Sequence, residues 1–398
     1  MEHVNSATKR TISLLIECGI YLFVFLSFFD KGEGIRNIAL YGAFAGWLLL
    51  FLRKRVSLGR DLVTVSFFVF VFTAFLASLF SIEPLNSLTA WRKELLKPVL
   101  LFLIVSTHFD LTKSVRLGII IAFAGIALLG LGLHGFLSHQ PGVYTSENFL
   151  LSADKNKYGF LLVTVIPFFV FFWTRGAGVT RAAWGLACMW GCLAVFLTAS
   201  RGALFSLIPQ GALWAACSVR KEWIKKAVLA VLVLVFAVLL SYNLWPTPVQ
   251  EKTSAIPHDL GTFERRTTFF WEPAVEAALK RPLLGWGYGD RIYRDPRPFQ
   301  SAHVPTWELK GGLHSAYITT LFHQGIIGLA AHLFMLCVSM YLLITLLRRS
   351  EGDERLFALT LLIVLMGAFV INSVVYSAPP ERIAPFLAMS AALLRNRK

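Results

Sequence analysis

Three polar motifs interrupt an otherwise apolar chain, and each contains a side chain that could take part in chemistry. Arg201 lies in the motif SRGA, Arg265 and Arg266 lie in FERRTTFFW, and His314 lies in GGLHSAY. A guanidinium group stays charged and binds phosphate oxygens in bidentate fashion. An unperturbed imidazole titrates at about pH 6.5 and can therefore accept a proton at neutral pH. Together, these residue types favour a site that stabilises an anion and moves a proton.

The composition indicates which solvent surrounds the helices that must position these motifs. Of 398 residues, 56% are hydrophobic and 15% are charged, and the mean hydropathy is +0.64. A helix needs about 20 apolar residues to cross a hydrocarbon core of about 30 Å. The chain is therefore predicted to be an all-α polytopic membrane protein. The apolar runs predict twelve membrane spans, at residues 12–29, 36–52, 62–80, 96–109, 117–137, 158–174, 182–199, 203–219, 227–243, 314–347, 356–376 and 383–394.

Lysine and arginine residues are more frequent in every second connection between these spans. This bias predicts the orientation of the chain in the membrane. The formal net charge is +15, and most of it falls on segments that are cytoplasmic when the N-terminus is inside. Both termini are then cytoplasmic. The basic balance therefore indicates topology, and it predicts no nucleic-acid partner, since such a partner calls for a basic face on a soluble domain. All five cysteines fall in predicted spans, so no disulfide framework is expected.

The lengths of the connections divide the chain into three parts. We predict nine spans with short loops in residues 1–243, one large periplasmic loop in 244–313, and three spans in 314–398. The run at 314–347 is too long for a single crossing, so we expect a short helical segment before the crossing itself. Within the large loop, an amphipathic helix is expected to lie at the membrane interface. The apolar residues of that helix predicted to face the membrane are Phe269, Trp271, Val275 and Leu279.

The order of the motifs resembles the O-antigen ligase and polymerase family of bacterial inner membranes. The resemblance rests on SRGA, then a long outer loop containing RPLLGWGYG, then HSAY followed by GIIG. It implies a GT-C-like glycosyltransferase with about twelve transmembrane helices and one large periplasmic loop. It also implies functional roles for Arg201, His314 and one arginine of the loop. Arg266 lies five residues before Trp271, whereas the family usually has about four, so the choice between Arg265 and Arg266 stays open.

The resemblance further implies the reaction. The donor would be a glycan linked to undecaprenyl pyrophosphate, and the acceptor would be a sugar hydroxyl of lipid A–core. The arginines would stabilise the leaving pyrophosphate, and His314 would take the acceptor proton, which gives inversion at the anomeric carbon. No Asp-x-Asp pair occurs in the predicted outer segments. We therefore predict a metal-independent enzyme that needs no cofactor, with membrane lipids as further partners.

Other residues near the predicted outer boundary are candidates for substrate binding. Ser315 and Tyr317 adjoin the histidine, where the family usually has asparagine in place of Ser315. Lys155 and Asn156 precede one predicted span, and Arg92 precedes another. A lysine or arginine at a membrane boundary is more commonly an anchor in the headgroup region. These residues could therefore bind phosphate or sugar, or simply anchor a helix at a fixed depth in the membrane.

Two other functions remain compatible with these motifs. An O-antigen polymerase would use the same donor and a second lipid-linked glycan as acceptor. A transporter of lipid-linked glycans or of solutes would need interrupted spans and charged residues along a central path. The notable polar residues gather near the predicted outer boundary instead, which favours an enzyme at the interface and, within the family, a ligase.

Overall fold

The computed structural model describes residues 2–29, 31–54, 56–138, 155–198, 200–217, 267–293, 295–299, 313–374 and 380–395. Within these ranges the chain is all-helical, as predicted. The helices are α1 (Glu2–Leu26), α2 (Glu33–Leu52), α3 (Leu62–Leu79), α4 (Pro84–His108), α5 (Leu111–Ser138), α6 (Lys155–Arg175), α7 (Gly178–Leu197), α8 (Arg201–Cys217), a π-helix (Thr267–Trp271), α9 (Glu272–Lys280), α10 (Asp290–Tyr293), a 3-10 helix (Arg297–Phe299), α11 (Ala316–Arg349), α12 (Gly352–Val374) and α13 (Pro380–Arg395).

Seven of the described helices are long and apolar enough to cross a membrane, namely α2, α3, α5, α6, α7, α11 and α12. The apolar helix α8 is shorter than these. The prediction of a polytopic membrane protein is therefore confirmed. The predicted ninth span, 227–243, lies outside the described residues, as do Arg265 and Arg266. The number of twelve spans stays a prediction.

The described helices pack around α6, α12 and α13. Helices α6 and α12 are the most enclosed of the candidate spans, with 78% and 72% of their apolar windows buried, whereas α7 has 17%. Because lipid tails are as apolar as leucine, helices associate in membranes through close packing and polar contacts. Gln210 of α8 supplies such contacts, since its Nε2 donates to Val163 O of α6 at 3.1 Å and to Ile363 O of α12 at 3.0 Å.

Helix α4 begins much earlier than its apolar run. The predicted span was 96–109, and the helix extends from Pro84 to His108. The fixed φ of proline suits the first turn of a helix, and the following turns are polar because they contact the loop that precedes α10. Ser87, for example, is fully buried against that loop. A prediction from apolar content alone was therefore too short.

Candidate functional site

Helices α6 and α8 begin side by side, and this brings Asn156 next to the SRGA motif. Ser200 Oγ donates a hydrogen bond to Asn156 Oδ1 at 3.1 Å. The close approach depends on Gly159, since a Cβ there would lie 2.8 Å from the Cβ of Ala203. Arg201, whose main chain is described, is the first residue of α8. The predicted arginine therefore begins its helix beside Asn156 and one residue from the bond that joins the two helices.

Arg201 and the start of α11 lie at the same end of the molecule. The last turns of α8 pack against Leu359 and Ile363 of α12, so α8 and α12 are antiparallel and α8 begins near the end of α12. Tyr317, in the first turn of α11, donates its hydroxyl hydrogen to Phe369 O near that same end of α12, at 3.0 Å. We call this the site end of the molecule, because α6, α8 and α11 all begin there.

His314 has an unusual main-chain conformation. Its φ is +53°, in the left-handed region, which non-glycine residues rarely occupy. Ser315 then caps α11, since its Oγ accepts a hydrogen bond from Ile318 N at 3.4 Å. Main-chain strain of this kind costs about 1–3 kcal/mol, and it clusters at functional sites. The strain at His314 is therefore an independent reason to regard it as a functional residue.

The π-helix contacts the segment that contains His314. Trp271 Nε1 donates to Leu313 O at 2.9 Å, and the rings of Phe270 and His314 meet edge to face with their centroids 5.5 Å apart. The sequence pattern predicted that Trp271 would face the membrane, and this contact corrects it. Val275 and Leu279 are exposed, as expected of membrane-facing residues. The π-helix begins directly after Arg266, and π-helical turns occur frequently at functional sites.

Helix α11 is interrupted at Gly325, where φ is +65° and ψ is −165°. The interruption separates a short helical segment, as expected before the crossing, from residues 326–349. At about 1.5 Å per residue, the second part is still long enough to cross a hydrocarbon core of about 30 Å. The position of the break was not predicted, and the only signal in the sequence was the glycine itself.

The loop between α9 and α10 supplies the hydrogen bonds that the interrupted helix lacks. Trp286 N donates to Phe322 O and Gly287 N donates to His323 O, both at 3.0 Å. In the other direction, Ile326 N donates to Pro282 O at 2.8 Å and Ile327 N donates to Leu283 O at 3.4 Å. Unpaired backbone groups are costly in a membrane. The break is therefore stable because this loop, residues 282–289, lies in it.

Glycine is required where this loop touches α11. Gly285 has a φ of +66°, and a Cβ there would lie 2.5 Å from Phe322 O. The same loop is held on its other side by α4, because Ser87 Oγ donates to Tyr288 O at 2.8 Å and accepts from Tyr288 N at 2.6 Å. Loop 282–289 therefore joins α4 to the break in α11, a contact that the sequence pattern did not reveal.

The remaining predicted residues have different surroundings. Arg92 is exposed on α4. Ser315 is buried, and its hydroxyl already caps a helix. The Tyr317 ring lies 5.5 Å from the ring of His332, a buried histidine that the sequence reasoning missed and whose Nδ1 lies 3.1 Å from Thr320 Oγ1. For Lys155 the main chain is described, at the start of α6.

The charged residues of the loop near α10 pair with one another and with the start of α4. Arg297 Nη2 lies 3.1 Å from Glu83 Oε1, and its guanidinium also donates to both carboxylate oxygens of Asp295. These hydrogen bonds lower the pKa of the Asp295 carboxyl from its ordinary value. Arg281 lies over the ring of Trp286, with its Cζ 4.8 Å from the ring centroid. The pair between Arg297 and Glu83 therefore joins the segment after α10 to the start of α4.

These features define a polytopic helical membrane protein in which a strained histidine and an arginine lie at the starts of two helices at the same end of the molecule. Residues 184–333 match the family model described as O-antigen ligase. The chain is also 27% identical over 148 residues to an O-antigen ligase of Salmonella typhimurium strain LT2, a match that covers 35% of this chain and 34% of the relative. The resemblance predicted from the motifs is therefore confirmed: residues 184–333 are similar to the O-antigen ligase family.

The matched residues include most of the candidate site. Arg201, the arginine pair, and the segment from His314 to Tyr317 all lie within 184–333, whereas Arg92, Lys155 and Asn156 lie before it. The chain spans about a third of the length of the O-antigen ligase that it matches. Together with the apolar helices, the similarity supports a multi-pass membrane protein.

Proposed function

We propose that the protein is a lipopolysaccharide O-antigen ligase. It transfers a glycan from undecaprenyl pyrophosphate to a sugar hydroxyl of lipid A–core. The observation that carries this proposal is the strained histidine at the start of α11, held by the π-helix that directly follows the arginine pair. Both segments lie in the part of the chain that matches the O-antigen ligase family.

In the proposed reaction, the acceptor oxygen attacks the anomeric carbon of the donor sugar. The bond between that carbon and the pyrophosphate oxygen breaks, and the leaving pyrophosphate keeps the electron pair. His314 accepts the proton of the acceptor hydroxyl as general base. Arg201 and one of Arg265 and Arg266 stabilise the charge that grows on the pyrophosphate. Direct displacement inverts the anomeric configuration, and the proposal includes neither a metal nor a cofactor.

The helix starts support the assignment of an anion-binding role to Arg201. The first N–H groups of a helix have no partner within the helix, and its dipole favours negative charge there. Helices α6 and α8 begin together, so Lys155 and Asn156 adjoin the same place. We include both as phosphate or sugar ligands of the donor, and we assign Arg92, exposed on α4, to the acceptor.

Ser315 and Tyr317 have a more limited part in this proposal. The Ser315 hydroxyl accepts a hydrogen bond from Ile318 N, so its O–H can still donate to a substrate, whereas the Tyr317 hydroxyl donates to α12 and can only accept. Their main effect is to fix the first turn of α11 directly after His314. We further propose that both termini are cytoplasmic and that the site end faces the periplasm, in line with the lysine and arginine bias.

The interrupted helix could suggest a transporter, since transporters use broken spans to bind ions and substrates. In this protein the main-chain groups next to the break already have partners. The carbonyls of Phe322 and His323 and the amides of Ile326 and Ile327 bond to the loop. The loop therefore fills the break, whereas a transporter would line it with groups that bind its ion, which favours the enzyme.

A transfer assay with purified protein tests the proposal. The reaction contains undecaprenyl-pyrophosphate O-antigen, lipid A–core and EDTA, with His314→Ala and Arg201→Ala run alongside. Arg291→Ala is the matched control, since this exposed arginine bonds to Asn86 of α4 and has no part in the proposed chemistry.

Glycan that appears on lipid A–core with wild-type protein and the control, and is lost in both site variants, supports the ligase. Longer glycan that stays on undecaprenyl makes the protein a polymerase. A well-folded protein that forms no glycosidic bond contradicts both, and a requirement for added metal contradicts the proposed mechanism.

A further inference from the structure

We propose that Trp271 and Phe270 are positioning residues that orient His314 for proton transfer. This inference rests on the proposed function and deepens it. Trp271 acts on the main chain, because its indole N–H donates to Leu313 O at 2.9 Å. Phe270 acts on the ring, because its edge-to-face contact with the imidazole, at 5.5 Å and 85°, limits how that ring can turn.

The main chain of His314 needs such support. A non-glycine residue at φ +53° is strained, and strain persists only where the surroundings hold it. On the C-terminal side, the cap between Ser315 and Ile318 fixes the chain. On the N-terminal side, the bond from Trp271 fixes Leu313, which is only 1% exposed. His314 is therefore held through both of its neighbours.

The bond from Trp271 also has a fixed direction. An indole nitrogen only donates, and a carbonyl only accepts. Phenylalanine at this position would keep most of the ring but remove the donor. Leu313 belongs to a compact group that we call the loop cluster, whose buried residues are Phe270, Ala274, Ala277, Trp286, Ile292, Phe299, Leu313 and Phe322. Trp271 is partly buried and packs against this cluster.

The π-helix lies between the arginine pair and the histidine segment. Its first residue, Thr267, follows Arg266 in the chain, and its last two residues contact the histidine segment. One short turn therefore connects a candidate phosphate-binding arginine to the candidate base. A misplacement of about 1 Å in such a site can lower a rate about 100-fold. Small displacements of this turn should therefore lower the transfer rate.

The test compares Trp271→Phe with Trp47→Phe in the transfer assay. Trp47 of α2 is buried, and its Nε1 donates to Thr107 Oγ1 at 2.8 Å near the end of α4, away from the His314 segment. Both variants therefore lose one indole hydrogen bond. If Trp271 positions His314, kcat falls about tenfold or more in Trp271→Phe while KM stays within about twofold. Trp47→Phe should keep the wild-type kcat per folded molecule, with the folded fraction of each variant measured by thermal unfolding.

A second readout does not depend on activity. In protein labelled at histidine, the NMR signal of His314 is identified by its absence in His314→Ala. Phe270→Leu removes the ring current and should shift this signal. Phe299→Leu is the control, since Phe299 stacks on Phe322 in the same cluster, with the ring centroids 5.3 Å apart, and should leave the His314 signal in place.

The outcomes separate this inference from the proposed function. An equal loss of kcat in both tryptophan variants, or an unmoved His314 signal in Phe270→Leu, overturns the positioning roles even when the wild type is an active ligase. A wild-type protein without any transfer overturns the proposed function instead. Loss confined to Trp271→Phe, together with the NMR shift in Phe270→Leu, supports the inference.

Discussion

The segment before His314 and the buried charge of Glu17, at the other end of the molecule, are held by different means. At the site end, main-chain groups of loop 282–289 hold the broken helix, and an indole donor holds the segment before His314. At the opposite end, where α4 ends and α5 begins, side-chain charges pair directly. Glu17 of α1 is buried and lies 3.1 Å from Lys113 Nζ and 3.8 Å from Arg116 Nη1.

Other charged side chains at the opposite end also join neighbouring helices. Arg175 at the end of α6 lies 2.7 Å from Asp353 at the start of α12, and Arg395 of α13 donates to the carbonyls of Thr107 and Phe109. The loops between helices are short at this end, and the charged side chains join one helix to the next. Charged residues at the opposite end therefore stabilise the bundle, whereas the arginine and histidine of the site end lie at helix starts that main-chain contacts position.

The largest expected effect comes from Gly285→Ala. The new Cβ would lie 2.5 Å from Phe322 O at a φ of +66°, so loop 282–289 could not stay in the break of α11. We expect kcat/KM for transfer to fall about 100-fold or more, through displacement of the site. Gly130→Ala in α5 is the control, because no atom lies within 4 Å of a Cβ there. Wild-type activity in Gly285→Ala would show that the loop does not position the site.

A change at the opposite end should affect stability and not chemistry. Glu17→Gln removes the partner of Lys113 in a buried contact, and the expected cost is about 1–3 kcal/mol, below that of a fully buried pair because Lys113 is partly exposed. Thermal unfolding in detergent measures this loss, and kcat per folded molecule should not change. A drop in kcat at equal folded fraction would mean that the two ends are coupled.

A smaller effect is expected from the bond between Asn156 and Ser200. Replacement of each residue by alanine, alone and together, forms a double-mutant cycle on stability. Because a side-chain hydrogen bond contributes about 0.5–1.5 kcal/mol, we expect a coupling energy in that range. Transfer should fall several-fold in each single variant, since the bond adjoins Arg201. Independent effects of the two substitutions would contradict a role for this bond in joining α6 to α8.

The smallest effect should appear as a dependence on pH. Arg297 lowers the pKa of Asp295 in the folded protein, so this pair contributes stability above the pKa of the unfolded chain and loses it as pH falls through the folded pKa. Asp295→Asn should therefore reduce the stability slightly at neutral pH and reduce its loss in acid. Melting temperatures across an acid series measure the difference, and parallel curves for the two proteins would contradict it.

Local patterns in the sequence determined the fold class and the polar motifs. Apolar content predicts spans because a membrane helix must satisfy its backbone within itself and present about 20 apolar residues to lipid. The order of SRGA, the glycine-rich loop and HSAY likewise indicated the family, since each motif is contiguous in the chain. These signals need no knowledge of which helices are neighbours.

Contacts between distant residues required the tertiary structure. The run from Ala316 to Arg349 is continuously helical in pattern, and its break at Gly325 exists because loop 282–289 bonds to both sides of it. Trp271 looked like a membrane-facing residue because periodicity cannot report that Leu313 O lies within hydrogen-bond distance. Hydropathy and periodicity describe one segment at a time, whereas the pairing of backbone groups between segments depends on the packing of the whole chain.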